Sequence, residues 1–228
     1  MSNLKVIMEG WRSFVKEAKS PLASTEDFSM YYEQKPNWVY IVLYKTINKT
    51  EPTVVGILRI TKLEEPCIPK TWQVSSIATN VDYQGQGIGR LLYSMAFYVA
   101  STLGVGLTSD KDTGTRAKAK EQWKKFEKSP DYEKRSTKAG NDTFDYDGVT
   151  DDPDDDCEGG DLTPRQNATH HSLMKHDTDG MDELFSAMEA RHMENIEQMS
   201  EKQESTFISL IKQTALNTFM DAYDAEVY

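Results

Sequence analysis

Apolar positions recur at helical spacing over residues 4 to 18, where Leu4, Ile7, Met8, Trp11, Phe14 and Val15 share one face. Ser20-Pro21 ends that helix, and the stretch from 22 to 36 reads as irregular, closed by Pro36. The run WVYIVLYKT over 38 to 46 is β-branched and aromatic on both faces, the pattern of a buried strand. A turn at Asn48 to Pro52 leads to TVVGILRIT at 53 to 61, so the two runs predict an antiparallel hairpin. A loop carrying Pro66 and Pro69 follows, and WQVSSIAT at 72 to 79 reads as a further strand. Ile88, Leu91, Leu92, Met95, Val99 and Leu103 mark a helix with one apolar face, which Gly104 stops. Val105 to Leu107 is a short buried strand, and 115 to 128 is a charged helix presenting Ala119, Trp123 and Phe126 on one side.

The pattern then breaks. Asp142 to Asp161 holds ten acidic residues and no Lys or Arg, which makes it an exposed loop or insertion. Periodicity resumes near residue 178. Met181, Leu184, Phe185, Met188, Ile196 and Met199 mark one helix. Phe207, Ile208, Leu210, Ile211, Leu216, Phe219, Met220 and Tyr223 mark a second or its continuation. The expected organisation is a domain over 1–140, an acidic linker over 141–165 and a helical extension over 166–228. The methionine-rich helices suit self-association or a larger assembly, and equally suit packing on the chain's own body.

Composition narrows the class. An apolar fraction of 38% in 228 residues means a real core diluted by polar segments. A net charge of -11 argues against nucleic-acid binding through a basic face, and suits either a cationic substrate or simply solubility. Cys67 and Cys157 make no disulfide framework, which points to a reduced, cytoplasmic setting. No apolar run is long enough for a membrane span, and the N-terminus has no signal-peptide pattern.

The candidate chemistry lies in Gln84-Gly85-Gln86-Gly87-Ile88-Gly89-Arg90, between a strand and a helix. Helix-start amides lack intrahelical partners and the helix dipole adds positive character, so such a turn accepts phosphate. The nucleotide P-loop needs Gly-Lys-Ser/Thr, and Arg90-Leu91-Leu92 fails that test. The Gly-x-Gly-x-Gly spacing also fails the dinucleotide fingerprint.

This segment resembles the Gln/Arg-x-x-Gly-x-Gly/Ala signature of the GNAT family of N-acetyltransferases. Ile77-Ala78-Thr79 is similar to the end of that family's fourth strand, Asn80-Val81-Asp82-Tyr83 to its connection, and Arg90-Leu91-Leu92 to its helix start. The resemblance spans about residues 38 to 128. It implies an α/β (α+β) fold, a central mixed sheet flanked by helices, with the C-terminal helical extension added. It implies acetyl-CoA as co-substrate, its pantetheine arm in a gap between the 72–79 and 105–107 strands. Backbone groups of Ile77 and Thr79 would pair with that arm. Amides of Gln84, Gly85, Gln86, Gly87, Ile88, Gly89 and Arg90 would hold the pyrophosphate. It further implies direct attack on the thioester by a deprotonated amine of a small molecule or protein, so neither cysteine is needed as a nucleophile.

The side chains of catalysis depart from the family pattern. Family members often carry a tyrosine four residues after an alanine as the acid that protonates the thiolate. Here Ala119 is followed by Trp123 at that spacing, and an indole N–H is no general acid at neutral pH. Tyr132 is the nearest substitute. Asp110 would orient an amine or act as base, although a turn cap beside Asp112-Thr113-Gly114 is the more frequent role for such a residue. This leaves a catalytically weak or inactive interaction protein, assembling through its C-terminal helices, as the alternative function. Met8 to Phe14 is similar to openings of tailed-bacteriophage proteins, and Asp151 to Cys157 to segments of phage acetyltransferase-like proteins, which would place the chain in a host cytoplasm or a virion. A plain helix face explains Trp11 and Phe14 as well. No metal is expected: the aspartates at 151–156 lack the calcium-loop spacing, and His170, His171 and His176 read as surface residues.

Overall fold

A computed structural model describes residues 28–46, 51–63, 68, 70–109, 117–136, 171–178 and 180–224. The helix expected over 4–18, both cysteines, Asp110, the acidic stretch and His170 lie outside these residues. Seven strands form one mixed sheet in the order β1-β2-β3-β4-β5-β7-β6. Those strands are β1 (Ser29–Lys35), β2 (Trp38–Thr46), β3 (Pro52–Lys62), β4 (Thr71–Thr79), β5 (Gly106–Ser109), β6 (Tyr132–Ser136) and β7 (His171–Lys175). The helices are α1 (Ile88–Thr102), α2 (Ala117–Lys128), α3 (Met181–Ile196) and α4 (Glu201–Asp224). The chain divides into two compact units, one drawn from 1–59, 76–95 and 179–228, the other from 60–75 and 96–178.

In the first unit, the 22–36 stretch read as irregular contains β1. It pairs antiparallel with β2 from Ser29↔Tyr44 to Lys35↔Trp38, leaving Pro36-Asn37 as a two-residue turn. Pro36 ends a strand there rather than a loop, where its missing N–H costs no ladder bond. α3 buries Phe185, Met188, His192 and Ile196, and α4 buries Phe207, Ile211, Ala215 and Thr218, each set at i, i+3, i+4 spacing. Acids in both first turns, Asp182 and Glu183 on α3 and Glu201 and Glu204 on α4, complement the helix dipoles. Tyr31, Val42, Tyr44, Val54, Ile57 and Ala78 of the sheet and Ile196, Phe207, Ile211 and Ala215 of the helices form one buried cluster. The described C-terminal helices therefore complete the core of this unit. Gly56 lets α1 press onto β3: a Cβ there would lie 2.9 Å from both Ile88 Cγ2 and Leu92 Cδ1.

In the second unit, β4 and β5 run parallel from Thr71↔Gly106 to Val74↔Ser109. The expected strand at 105–107 is shifted to Gly106–Ser109. The ladder ends at Ser109, whereas β4 continues to Thr79. β6 and β7, which the hydrophobic pattern does not reveal, pair antiparallel from Tyr132↔Lys175 to Ser136↔His171. A polar bracket, buried at its Thr71–Ser172 end, ties the strands together. Thr71 Oγ1 donates to Ser172 Oγ at 2.8 Å, and Arg135 donates to Ser172 Oγ at 2.8 Å and to the Lys70 carbonyl at 3.1 Å. Phe97, Trp123, Phe126 and Tyr132 make an aromatic cluster with mostly edge-on contacts.

Candidate functional site

The glycine turn is built from both ends. β4 finishes at Thr79, and Asn80 caps a 3-10 turn over Val81–Tyr83 by accepting the Asp82 N–H on its side chain. Gly85 and Gly87 follow with φ of 75° and 81°, backbone that a side chain disfavours and glycine adopts freely. Leu91 N–H is bonded to Gly87 O at 3.0 Å. The amides of Ile88 and Gly89 precede that bond and lie ahead of the intrahelical ladder. No acid occupies the first turn of α1. The helix spans 15 residues, so its dipole is developed at this end. A Cβ at Gly85 would meet no atom within 4 Å, so the turn has open space on that side. These residues fit a phosphate-bearing co-substrate: unencumbered amides, left-handed glycines and a positive helix end.

Ile77 and Thr79 lie near the end of β4, both half-buried. Gln84 and Gly85 are exposed, and Gln86, Gly87, Gly89 and Arg90 are partly exposed. Two side chains of the set have structural duties. Gln86 Nε2 donates to the Asp82 carbonyl at 3.2 Å, and Ile88 is buried beneath the turn. Their backbones alone suit a ligand. Tyr132 belongs to the second unit and opens β6, with its ring 4.7 Å from that of Phe97. Trp123, at 1% exposure, is packed in the same cluster and is a core residue. Asp110 lies outside the described residues.

Three polar features escaped the sequence reading. Asn80 anchors the turn to β3, donating through its backbone to Val55 O at 3.0 Å and through Nδ2 to Val54 O at 2.9 Å. His192 Nδ1 lies 2.7 Å from Tyr44 Oη, which also accepts from Asn195 Nδ2 at 3.3 Å. Burial pushes the Tyr44 hydroxyl up to about 12 and lowers the pKa of His192. Thr108 Oγ1 and Ser109 Oγ are buried at the end of β5 with no hydrogen-bond partner among the described residues. The first two depend on contacts between distant segments, and the third on where a ladder stops. His176, exposed, faces Glu133 at 2.5 Å. Among the described residues no cluster of His, Cys, Asp or Glu is arranged to hold a metal, and no helix is long and apolar enough to cross a membrane.

A seven-stranded mixed sheet with a parallel β4–β5 pair and a glycine turn feeding α1 makes a mixed α/β domain. Residues 8–119, just under half of the chain, match the model of the Acetyltransferase (GNAT) family, which supports a GNAT acetyltransferase domain there. The match supports acyl transfer as the general class of chemistry. No curated protein matches the sequence. Among solved structures, the chain is similar to the IAA acetyltransferase from Bacillus cereus ATCC 14579. The identity is 17%, the match covers 61% of this chain and 78% of that one, and the TM-score is 0.32. It is also similar to the ribosomal-protein-S18-alanine N-acetyltransferase from Escherichia coli. There the identity is 14%, the coverage 55% and 73%, and the TM-score 0.31.

Proposed function

We propose that the protein transfers an acetyl group from acetyl-CoA to a primary amine by direct attack. The observation that carries this reading is the glycine turn ahead of α1, with open space at Gly85 and amides outside the helical ladder. Acetyl-CoA supplies an activated thioester carbonyl. The chain's own part is to bind and orient it: amides from Gly85 to Arg90 take the pyrophosphate, the Gln84 N–H already donating to Val81 O at 3.3 Å, and backbone groups of Ile77 and Thr79 pair with the pantetheine arm. The helix dipole favours the added negative charge.

Gly89→Glu tests the cradle with little backbone strain. A Cβ at Gly89 would lie 3.6 Å from Thr79 Oγ1, an ordinary contact. Glutamate within a helix is favoured over glycine, and an acid in the first turn is stabilising, each by about 0.5–1 kcal/mol. The variant should therefore be as stable as the parent, or more so, yet bind acetyl-CoA at least roughly tenfold more weakly by isothermal titration, a change of about 1.4 kcal/mol. Unchanged affinity, or no binding by the parent at millimolar ligand, would refute the placement.

For proton transfer this reading offers Tyr132 as acid and Asp110 as base. Tyr132→Phe keeps the ring in its aromatic cluster and removes only the hydroxyl. A role as general acid predicts a fall in kcat of roughly 10²-fold with an unchanged melting temperature. An unaltered kcat in an assay over a panel of amines would make Tyr132 a packing residue alone.

A further inference from the structure

We propose that Asn80 is a positioning residue for the glycine turn, setting its affinity for the coenzyme A pyrophosphate without touching the ligand. This inference rests on the acetyl-CoA reading above. Gly85 and Gly87 have the left-handed backbone the turn needs, but glycines alone hold no conformation. Something else must fix where the amides point.

The bonds around Asn80 supply that constraint. Its backbone N–H donates to Val55 O at 3.0 Å and its Nδ2 to Val54 O at 2.9 Å, so two successive carbonyls of β3 grip one residue. Its Oδ1 accepts the Asp82 N–H at 3.0 Å. Its own carbonyl accepts the Tyr83 N–H at 2.9 Å, closing the 3-10 turn. The Asp82 carbonyl in turn accepts from Gln86 Nε2 at 3.2 Å, inside the glycine turn. A continuous relay thus runs from β3 through Asn80 and Asp82 to Gln86. The far side of the turn is referenced to the same strand, since α1 is seated against β3 at Gly56. Both flanks of the turn therefore share one fixed element, which preorganises its amides before any ligand arrives.

The residue type is specific to this work. Aspartate would cap the 3-10 turn but could not donate to Val54. Serine would cap it but is too short to reach β3. Asparagine alone among the common caps does both.

Full-length parent, Asn80→Ala and Asn80→Ser are compared by isothermal titration with acetyl-CoA. Amide hydrogen exchange over residues 84–90 and thermal unfolding are measured without ligand. The expected result is a parent that binds, Asn80→Ala weaker by at least roughly tenfold and Asn80→Ser between them. The 84–90 amides should exchange faster in Asn80→Ala, with the protection of α1 beyond Met95 unchanged. A purely structural cap would instead lower the melting temperature while leaving the affinity of the folded protein intact. If the parent binds and folded Asn80→Ala binds within about twofold of it, the positioning role is overturned and the cofactor reading stands. If Asn80→Ala does not fold, Asn80→Ser decides: parent-like affinity and exchange overturn the proposal, and joint loss supports it. A parent that binds no acetyl-CoA overturns the reading and this inference together.

Discussion

Buried His192 is paired with Tyr44: its Nδ1 lies 2.7 Å from Tyr44 Oη, which also accepts from Asn195 Nδ2 at 3.3 Å. Tyr31 meets its ring edge-on at 5.6 Å, and Tyr44 does so at 5.8 Å. Burial depresses the folded-state pKa of His192 below its ordinary 6.5. On acidification the unfolded chain therefore takes up the proton first. His192 costs the fold nothing well above pH 6.5, and stability falls as pH drops through that value toward the lowered folded pKa. His192→Asn keeps a polar partner for Tyr44 and does not titrate. Urea unfolding between pH 7.5 and 5 should show a shallower loss in the variant than in the parent; equal slopes would show that His192 does not carry the effect. At this scale the glycines were legible, because a positive φ is a local demand. Asn80, Tyr44 and His192 were not, because a polar residue's partner is chosen by the fold.

Elements differ in how much of their cause is local. α1 shows an apolar face with few interruptions, and Gly104 closes it with φ of 65°. β2 and β3 are apolar enough to be recognised as buried strands from composition alone. The seating of α1 on β3 is less visible, since it depends on the absence of a side chain. Gly56→Ala would push a methyl to within 2.9 Å of Ile88 Cγ2 and Leu92 Cδ1 and 3.3 Å of the Ala78 carbonyl. The expected cost is about 1–3 kcal/mol in chemical denaturation. Because Ile88 opens the helix, acetyl-CoA affinity should fall as well. A variant as stable as the parent would mean that α1 can move away from the strand without loss. β1, β6 and β7 are the opposite case. SMYYEQK, YEKRS and HSLMK carry little apolar periodicity, and pairing makes them strands.

Over the whole molecule, the C-terminal helices illustrate the division. Their amphipathic spacing follows from the sequence, as do their acidic first turns. What the apolar face covers does not: self-association and internal packing bury the same residues and leave the same pattern. The fold shows Phe207, Ile211 and Ala215 of α4 against Val42 and Tyr44 of the sheet, completing the first unit's core. The Lys212–Glu33 pair adds a surface tie at 2.8 Å, which holds the Glu33 carboxyl below its ordinary pKa. The sequence by itself determined the glycine turn, the strongly apolar strands and the helix periodicities, because each arises from backbone preference or spacing within a few residues. Only the tertiary structure decided that 29–35, 132–136 and 171–175 are strands, that Asn80 is held by β3, and that Trp123 and Tyr132 share an aromatic cluster. Those facts depend on hydrogen bonds and contacts between residues far apart in the chain, whose partners no local pattern names.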